Sequence, residues 1–363
     1  MIKEQFSTVV IGAGQAGLAA GYFLRKLDED FIILDQGPTV GNSWRQRWDT
    51  LRLFTPSQHD GLPGYPFPAI RGTLPTKEDM ANYLSDYTTK FSLPVELNTK
   101  VIELRKTSEG FEIITSKGTL FSDHVIISTG TNPIANIPAF AGQIDKKIVQ
   151  IHSSEYKNPL QIPSLNTLVV GAGTSGVEIA IELSNSRTTM LSGKPTLQIP
   201  DFLFRYAGSI YWWFIHNVLT TNTPIGRKVR NKLLHSGGPL ISVSMDDVKN
   251  AKVEHLPRLK GTQNGLPLLE DDRTVAVDSI VWATGYRPDF SWIKIDSNNY
   301  SGWPETNRGI SKDSEGLYFI GIIFQFGLTS GLVGGVGRDA SFVVKHLHKH
   351  KKSIVGQKIR PED

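Results

Sequence analysis

Residues 8–17 read TVVIGAGQAG, and residues 167–176 read TLVVGAGTSG. In each copy a short β-branched run leads into the spacing G-x-G-x-x-G, and a helix-like run follows. The first glycine permits a tight strand-to-helix turn, the second lets the backbone approach a pyrophosphate, and the third lets the helix pack closely on the strand. The N-terminus of that helix attracts phosphate. The pattern therefore predicts two dinucleotide-binding modules in one chain.

Each module is predicted to end at a strand closed by a threonine–glycine pair, Thr129-Gly130 in the first and Thr284-Gly285 in the second. A strand ending at Gly321 and a helix opened by residues 330–339 follow the second module. We therefore expect an α/β fold with two Rossmann-like domains, the second inserted into the first. The expected boundaries are 1–158 with 287–363 for the first domain and 159–286 for the second.

The composition excludes several classes of function. Lys and Arg number 39 against 35 Asp and Glu, and a net charge of +4 over 363 residues is too small to predict a nucleic-acid partner. The sequence has no cysteine, so disulfides, iron–sulfur clusters, thiolate zinc sites and redox-active cysteine pairs are ruled out. No metal site is expected, and the histidine-rich run 346–352 is interpreted as a solvated tail. The absence of a visible targeting segment favours a cytoplasmic protein.

The residue near the end of the second strand of each module predicts which nucleotide that module prefers. Asp35 lies 18 positions after Gly17, where a carboxylate accepts hydrogen bonds from a ribose diol and repels a 2′-phosphate. At the same offset from Gly176 lies Lys194, whose ammonium would pair with a 2′-phosphate. The second site is therefore predicted to prefer NADPH, with NADH as the other donor. A nicotinamide there could pass hydride to a flavin in the first site, which makes FAD the expected first ligand.

Several stretches resemble the flavin-containing monooxygenases. The stretch 41–53, GNSWRQRWDTLRL, is similar to the G-x-W segment of that family, and Thr55-Pro56 leads from it to Leu62-Pro63-Gly64. HSSEY at 152–156 and ATGY at 283–286 are also similar to family segments. Together with both glycine motifs, the resemblance covers nearly the whole chain.

The resemblance implies two sets of cofactor contacts and leaves the catalytic residues open. The implied FAD contacts are Gly12, Gly14, Gln15, Ala16, Gly17, Asp35, Gln36, Trp44, Arg45, Leu51, Val101, Thr129, Gly130, Gly321, Ser330 and Leu332. The implied NADPH contacts are Gly171, Gly173, Thr174, Ser175, Gly176, Ser192, Gly193, Lys194, Thr284 and Gly285. The candidate catalytic residues beside the flavin are Ser57, Gln58 and His59.

The reaction that the resemblance implies is an NADPH-dependent oxygenation. Hydride passes from NADPH to FAD, O₂ is taken up as a C4a-hydroperoxyflavin, and one oxygen atom is transferred to a small apolar sulfide, amine or ketone. An NAD(P)H oxidase or an electron-transfer flavoprotein reductase on the same scaffold is the alternative enzyme. A non-catalytic dinucleotide sensor is the third hypothesis.

An aromatic and basic insert at about 200–248 interrupts the second module. It contains FLFRY at 202–206, YWWFI at 211–215 and GRKVRNK at 226–232. Three interpretations stay open: a helical roof over an apolar channel, a surface that packs or forms a homodimer, and a segment that dips into a membrane interface.

Overall fold

The computed structural model describes residues 4–131, 133–163, 165–198, 201–236, 238–295 and 302–358, with 201–207, 234–236 and 353–358 as backbone alone. The α-helices are α1 Gln15–Lys26, α2 Asn42–Arg45, α3 Lys77–Lys90, α4 Thr174–Ser184, α5 Asp201–Asn217, α6 Pro224–Ser236, α7 Met245–Asn250 and α8 Val333–Lys358. The strands are β1 Gln5–Ile11, β2 Phe31–Leu34, β3 Val95–Glu96, β4 Val101–Thr107, β5 Gly110–Thr115, β6 Gly118–Ile127, β7 Ile134–Ala135, β8 Val149–His152, β9 Asn166–Val170, β10 Thr188–Ser192, β11 Glu254–Leu256, β12 Leu259–Gln263, β13 Leu266–Leu269, β14 Ser279–Trp282, β15 Tyr286–Arg287, β16 Ile293–Lys294, β17 Thr306–Asn307, β18 Ile310–Ser311 and β19 Leu317–Phe319.

The first sheet is centred on β1, which pairs in parallel with β2 and β6. The apolar run of β1 is buried on both faces, as expected for a strand in the middle of a covered parallel sheet. Val10 packs in one core with α1 and α8, and Val9 packs in a second core with β4 and β5. The sheet therefore holds the first glycine turn rigidly between two cores.

The second sheet has the order β11-β10-β9-β14-β8, and all of its pairings are parallel. It brings the carboxyl ends of five strands to one edge, beside the second glycine turn. β8 comes from residues that precede the expected boundary at 159, so that boundary divides this sheet. The α/β class and the two Rossmann-like units are confirmed by this architecture and by the comparisons given below.

The tail returns to the first unit. β19 pairs in parallel with the C-terminal part of β6, and α8 packs along α1. Gly321 follows β19 with φ +86°, and a Cβ on it would lie 3.0 Å from the Cβ of Ala16 in the first turn of α1. The last strand and helix thus complete the sheet that carries the first glycine turn.

The expectation of a solvated histidine-rich tail is wrong. Residues 346–352 lie on α8, where His348 Nδ1 is 2.6 Å from Glu29 Oε1 and Lys351 pairs with the same carboxylate. His350 contacts Glu315 on the strand side. Acidic partners in the loop after α1 and before β19 therefore fix this face of the helix against the first unit. The charge pattern alone could not predict these contacts, because Glu315 lies 35 residues and Glu29 more than 300 residues away in sequence.

Candidate functional site

Packing within the protein fixes the first glycine turn and leaves open space for a ligand beside it. Gly12 has φ +105°, and a Cβ on it would lie 2.6 Å from the Ser128 carbonyl oxygen at the end of β6. A Cβ on Gly17 would lie 1.8 Å from the Gly12 oxygen, so helix and turn touch there. A Cβ on Gly14 would meet no atom within 4 Å. Packing explains the outer two glycines, whereas open space lies over the middle one, where a pyrophosphate would approach.

The second glycine turn repeats this arrangement. Gly171 has φ +112°, and its Cβ would lie 2.3 Å from the Ala283 oxygen at the end of β14. A Cβ on Gly176 would lie 1.8 Å from the Gly171 oxygen, and one on Gly173 would meet nothing within 4 Å. The two turns therefore have the same cradle, with helices α1 and α4 presenting their N-termini to it.

The Asp35 carboxylate fixes the loop of the first turn. It accepts the Ala13 N–H at one oxygen and the Gly37 N–H at the other, each at 2.7 Å. The Asp35 carbonyl accepts the Thr99 N–H at 2.8 Å, which brings the start of β4, and with it Val101, to this edge. Each carboxylate oxygen keeps lone pairs for a further donor such as a ribose hydroxyl.

Most of the other predicted FAD contacts gather at the same edge. The residues that the strands and helices bring there are Gln15, Ala16, Gln36, Thr129, Gly130 and Gly321. Ser330 is fully buried in a short 3-10 helix before α8, where its Oγ accepts the N–H groups of Phe326 and Gly327. Leu332 ends that 3-10 helix, so the N-terminus of α8 begins immediately after it.

The G-x-W segment lies on α2 and in the following loop. Trp44 packs on the core between α1, α3 and α8, and Arg45 donates from Nη2 to the Asn82 Oδ1 at 2.8 Å. Leu51 contacts both the first core and the core under α4. This segment therefore spans the junction between the two units, and the Arg45 guanidinium contacts a side chain of α3.

Polar contacts continue across that junction. Arg47 donates to the Tyr286 hydroxyl at 3.1 Å, and Thr50 donates to the Glu182 carboxylate at 2.9 Å. Trp48 is buried in the core of the second unit. His152, which is fully buried, places Nε2 3.0 Å from the Gly285 oxygen, so its place is in the packing beside the second turn.

A cavity of about 640 Å³ opens over the second glycine turn. All ten residues predicted to contact NADPH line it: Gly171, Gly173, Thr174, Ser175, Gly176, Ser192, Gly193, Lys194, Thr284 and Gly285. The structure adds lining residues that the sequence did not predict, among them Ser153, Thr196, Arg258 and Tyr286. The cavity thus has two cationic lining residues, Lys194 and Arg258, where one was expected.

Arg258 reaches the cavity through the pairing of β11 with β10. Both strands are parallel and end at the same edge, and the Ser192 hydroxyl donates to the Pro257 oxygen at 2.6 Å. His255 Nε2 lies 2.7 Å from the Gly193 oxygen, which ties the two strand ends a second time. The sequence shows the basic residue Arg258 just beyond a third strand, but it does not show that this strand pairs with β10.

The candidate catalytic residues separate into two groups. Gln58 and His59 line a second cavity of about 500 Å³, together with Trp212 from α5 and Gly334 from the first turn of α8. The His59 and Trp212 rings stack at 4.5 Å between centroids with 13° between their planes. Burial, reinforced by the charge of Arg71, lowers the pKa of His59. Ser57 is fully buried and donates to the Ile70 oxygen at 2.8 Å, and it is not among the lining residues.

Two acidic groups near these sites have pKa values raised to about 7. Burial raises the pKa of Asp60 to about 7, although the Thr55 hydroxyl donates to it. Burial alone raises the pKa of Glu178, on α4, to about 7. Both carboxyls are therefore harder to ionise than in water.

Comparisons with known proteins agree with this geometry. The family described as pyridine nucleotide-disulphide oxidoreductase matches residues 9–203. An uncharacterized oxidoreductase CzcO-like protein of Geobacillus kaustophilus is 36% identical over 94% of this chain and 98% of its own length. The probable indole-3-pyruvate monooxygenase YUCCA3 of Arabidopsis thaliana is 27% identical over 86% of this chain and 81% of its own.

A solved structure has the same fold over the whole length. The flavin-containing monooxygenase from Stenotrophomonas maltophilia superposes with a TM-score of 0.76 at 25% identity, over 96% of this chain and 99% of that chain. The resemblance to flavin-containing monooxygenases noted in the sequence is thereby confirmed. The chain belongs to the pyridine nucleotide-disulphide oxidoreductase family, as one of its flavin-dependent, monooxygenase-like oxidoreductases.

Proposed function

We propose that this chain is an NADPH-dependent FAD monooxygenase that transfers one oxygen atom from O₂ to a small apolar sulfide, amine or ketone. FAD lies on the first glycine turn and NADPH on the second. The observation that carries the proposal is the paired cradle: each turn packs tightly at its outer glycines and leaves open space at Gly14 or Gly173. Bound FAD accepts hydride and supplies the chemistry by which a flavin activates O₂.

On the first turn, the residues present fit a dinucleotide without a 2′-phosphate. The N-terminus of α1 faces the gap at Gly14, and Asp35 offers carboxylate lone pairs to the hydroxyls of a ribose. The N-terminus of α8, just after Ser330 and Leu332, supplies N–H groups for the electron-rich edge of the flavin ring. We also propose the domains as 1–158 with 287–363 for FAD and 159–286 for NADPH, with β8 of the first segment pairing in the sheet of the second unit.

On the second turn, the residues present fit NADPH. Lys194 and Arg258 bring two positive charges to the rim of the cavity, and Thr196 adds a hydroxyl. A phosphate monoester carries close to two negative charges, so two cations match it better than they match an unmodified ribose. NADH retains the pyrophosphate contacts at Gly173 and is expected to bind more weakly.

Contacts across the junction fix the two units, and would thereby hold the two cofactors near each other. Arg47, Thr50 and Trp48 bind the first unit to the second, and Tyr286, the partner of Arg47, lines the cavity over the second glycine turn. Fixing donor and acceptor rings in contact removes most of the entropic cost of hydride transfer. The sequence has no cysteine, so the dithiol exchange in the family's name has no group to act through.

The experiment follows NADPH oxidation, O₂ consumption and product formation together, with an aryl methyl sulfide, a tertiary amine and a cyclic ketone offered separately. We expect oxygenated product to account for most of the NADPH consumed with at least one substrate class. Product labelled from ¹⁸O₂ establishes the source of the oxygen atom. Gly173→Ala should abolish turnover, whereas the exposed Gly142→Ala, which also meets no atom within 4 Å, should not.

The alternatives give different products in the same assay. An NAD(P)H oxidase converts the same NADPH to H₂O₂ whichever substrate is offered. An electron-transfer reductase consumes NADPH only when a redox acceptor is added. Stoichiometric H₂O₂ with every substrate class would contradict the proposal.

A further inference from the structure

The helix α5 has an inner and an outer apolar face. Its inner residues Tyr211, Trp212 and Ile215, with Leu219 just beyond its C-terminal end, pack with Phe324 in a cluster of their own. The outer residues, at spacings of three and four, form one stripe on the opposite side of the helix. These residues, with their exposed fractions, are Ile210 at 74%, Trp213 at 59% and Phe214 at 38%.

The following helix, α6, is basic on its exposed surface. Val229 and Leu233 pack in the same cluster, and Gly226 lies so close to Thr220 that a Cβ would come within 1.9 Å of its oxygen. Among the residues that remain exposed on α6 are Ile225, Arg227, Lys228 and Arg230, with Ile225 at 49%. The hairpin therefore presents large apolar side chains next to cations.

The α5–α6 hairpin, residues 208–233, carries the net positive charge of the chain. It contains four Lys and Arg and no Asp or Glu. The rest of the chain has 35 Lys and Arg against 35 Asp and Glu, so it is neutral. A partner of this face has to be both anionic and able to accept exposed apolar side chains.

We propose that the α5–α6 hairpin, defined by residues 208–233, binds peripherally to an anionic phospholipid surface. A lipid interface takes up a tryptophan and aliphatic stripe on a convex helix while its headgroups neutralise neighbouring cations. A nucleic acid or an acidic protein loop would use the cations and leave Trp213 and Ile210 in water. Within the residues that the structure describes, no helix is long and apolar enough to cross a membrane.

The test is cosedimentation of the full-length, FAD-loaded protein with vesicles. We expect binding to phosphatidylcholine vesicles that contain about one third phosphatidylserine, and little to phosphatidylcholine alone. Lys228→Glu with Arg230→Glu should lower partitioning at least about 25-fold, and Ile210→Ser with Trp213→Ser about tenfold. Lys146→Glu with Lys147→Glu, and Leu160→Ser, change exposed charge and apolar surface elsewhere and should have no effect.

Three results would overturn the proposal. One is equal and weak binding to both kinds of vesicle. Another is a dimer in solution that Trp213→Ser converts to a monomer, because the stripe would then be an interface between copies. The third is binding to duplex DNA as strong as to vesicles and unaffected by Ile210→Ser with Trp213→Ser. None of these outcomes depends on whether the protein is a monooxygenase.

Discussion

The two glycine turns have the same backbone geometry, but the residues that follow the neighbouring strands differ between the two units. In both, the outer glycines pack against main-chain atoms and the middle glycine faces open space. After the second strand, the first unit places Asp35 on its own loop, whereas the second unit places Lys194 in a cavity lining that Arg258 joins from the end of β11. Packing therefore fixes each turn, and the difference between the strand ends supports the proposal that they select the nucleotide.

The largest expected effect comes from the glycines that touch the turn. Gly17→Ala and Gly176→Ala each place a Cβ 1.8 Å from the carbonyl oxygen of the first glycine of the turn, so helix and turn must move apart. We expect each variant to lose about 3 kcal/mol or more of unfolding free energy, measured by urea denaturation. Gly142→Ala should stay within about 0.5 kcal/mol of the parent. A stable Gly176→Ala would mean that the second turn is not packed as the first is.

Substitutions of the two middle glycines should affect the two sites independently. A Cβ on Gly14 or Gly173 meets no protein atom, so both variants should fold, but it would occupy the space of a pyrophosphate. Gly14→Ala should be purified without FAD, and Gly173→Ala should retain FAD while NADPH affinity falls at least about 100-fold. Absorbance spectra and NADPH titrations measure the two effects. Loss of FAD from Gly173→Ala would reverse the assignment.

A difference with a smaller expected effect on stability lies on helices α1 and α4. Glu178 on α4 occupies the position that the buried Ala19 holds on α1, and burial raises its pKa from 4.5 to about 7. The folded protein therefore holds this proton more tightly than the unfolded chain, and Glu178 makes stability fall as pH rises from about 4.5 to 7.

Replacing that carboxyl should remove the pH dependence. Glu178→Gln should stabilise the protein by at most about 3 kcal/mol at pH 8 and have little effect near pH 4. Urea unfolding at both pH values measures this, with the exposed Glu109→Gln as a control. Equal gains at both pH values would mean that the carboxyl is not held protonated.

The smallest expected effect concerns coenzyme choice. Lys194→Ala and Arg258→Ala each remove one cation from the cavity rim, and each should raise the KM for NADPH about tenfold. The KM for NADH should change less than twofold, because NADH lacks the phosphate. Lys252→Ala, an exposed lysine outside the cavity lining, is the matched control. An Arg258→Ala variant that affects both coenzymes equally would assign that residue to packing.

The sequence predicts the parts of both sites that lie within one strand, turn and helix. The glycine turns, Asp35 and Lys194 are such residues, because the motif places each at a fixed distance from the turn. The two Rossmann-like units and the return of Gly321 to the first turn are also predicted, since parallel strands end at a common edge.

The rest depended on pairing between distant segments. Arg258 and Thr196 reach the cavity over the second glycine turn, and β8 joins the second sheet, only because of strand register and the course of the loops. Ser57 was grouped with His59 as a neighbour in sequence, yet their side chains separate because Ser57 is buried against Ile70. The interpretation of 346–352 as solvated failed for the same reason, since Glu29 and Glu315 are remote in sequence.

The measurement that tests the account most directly is anaerobic mixing of the FAD-loaded protein with NADPH while the flavin absorbance is followed. Two facing sites predict bleaching of the yellow colour at a rate that saturates with NADPH, and no bleaching in Gly173→Ala although it keeps its FAD. A protein that binds both cofactors and keeps its yellow colour would contradict the account.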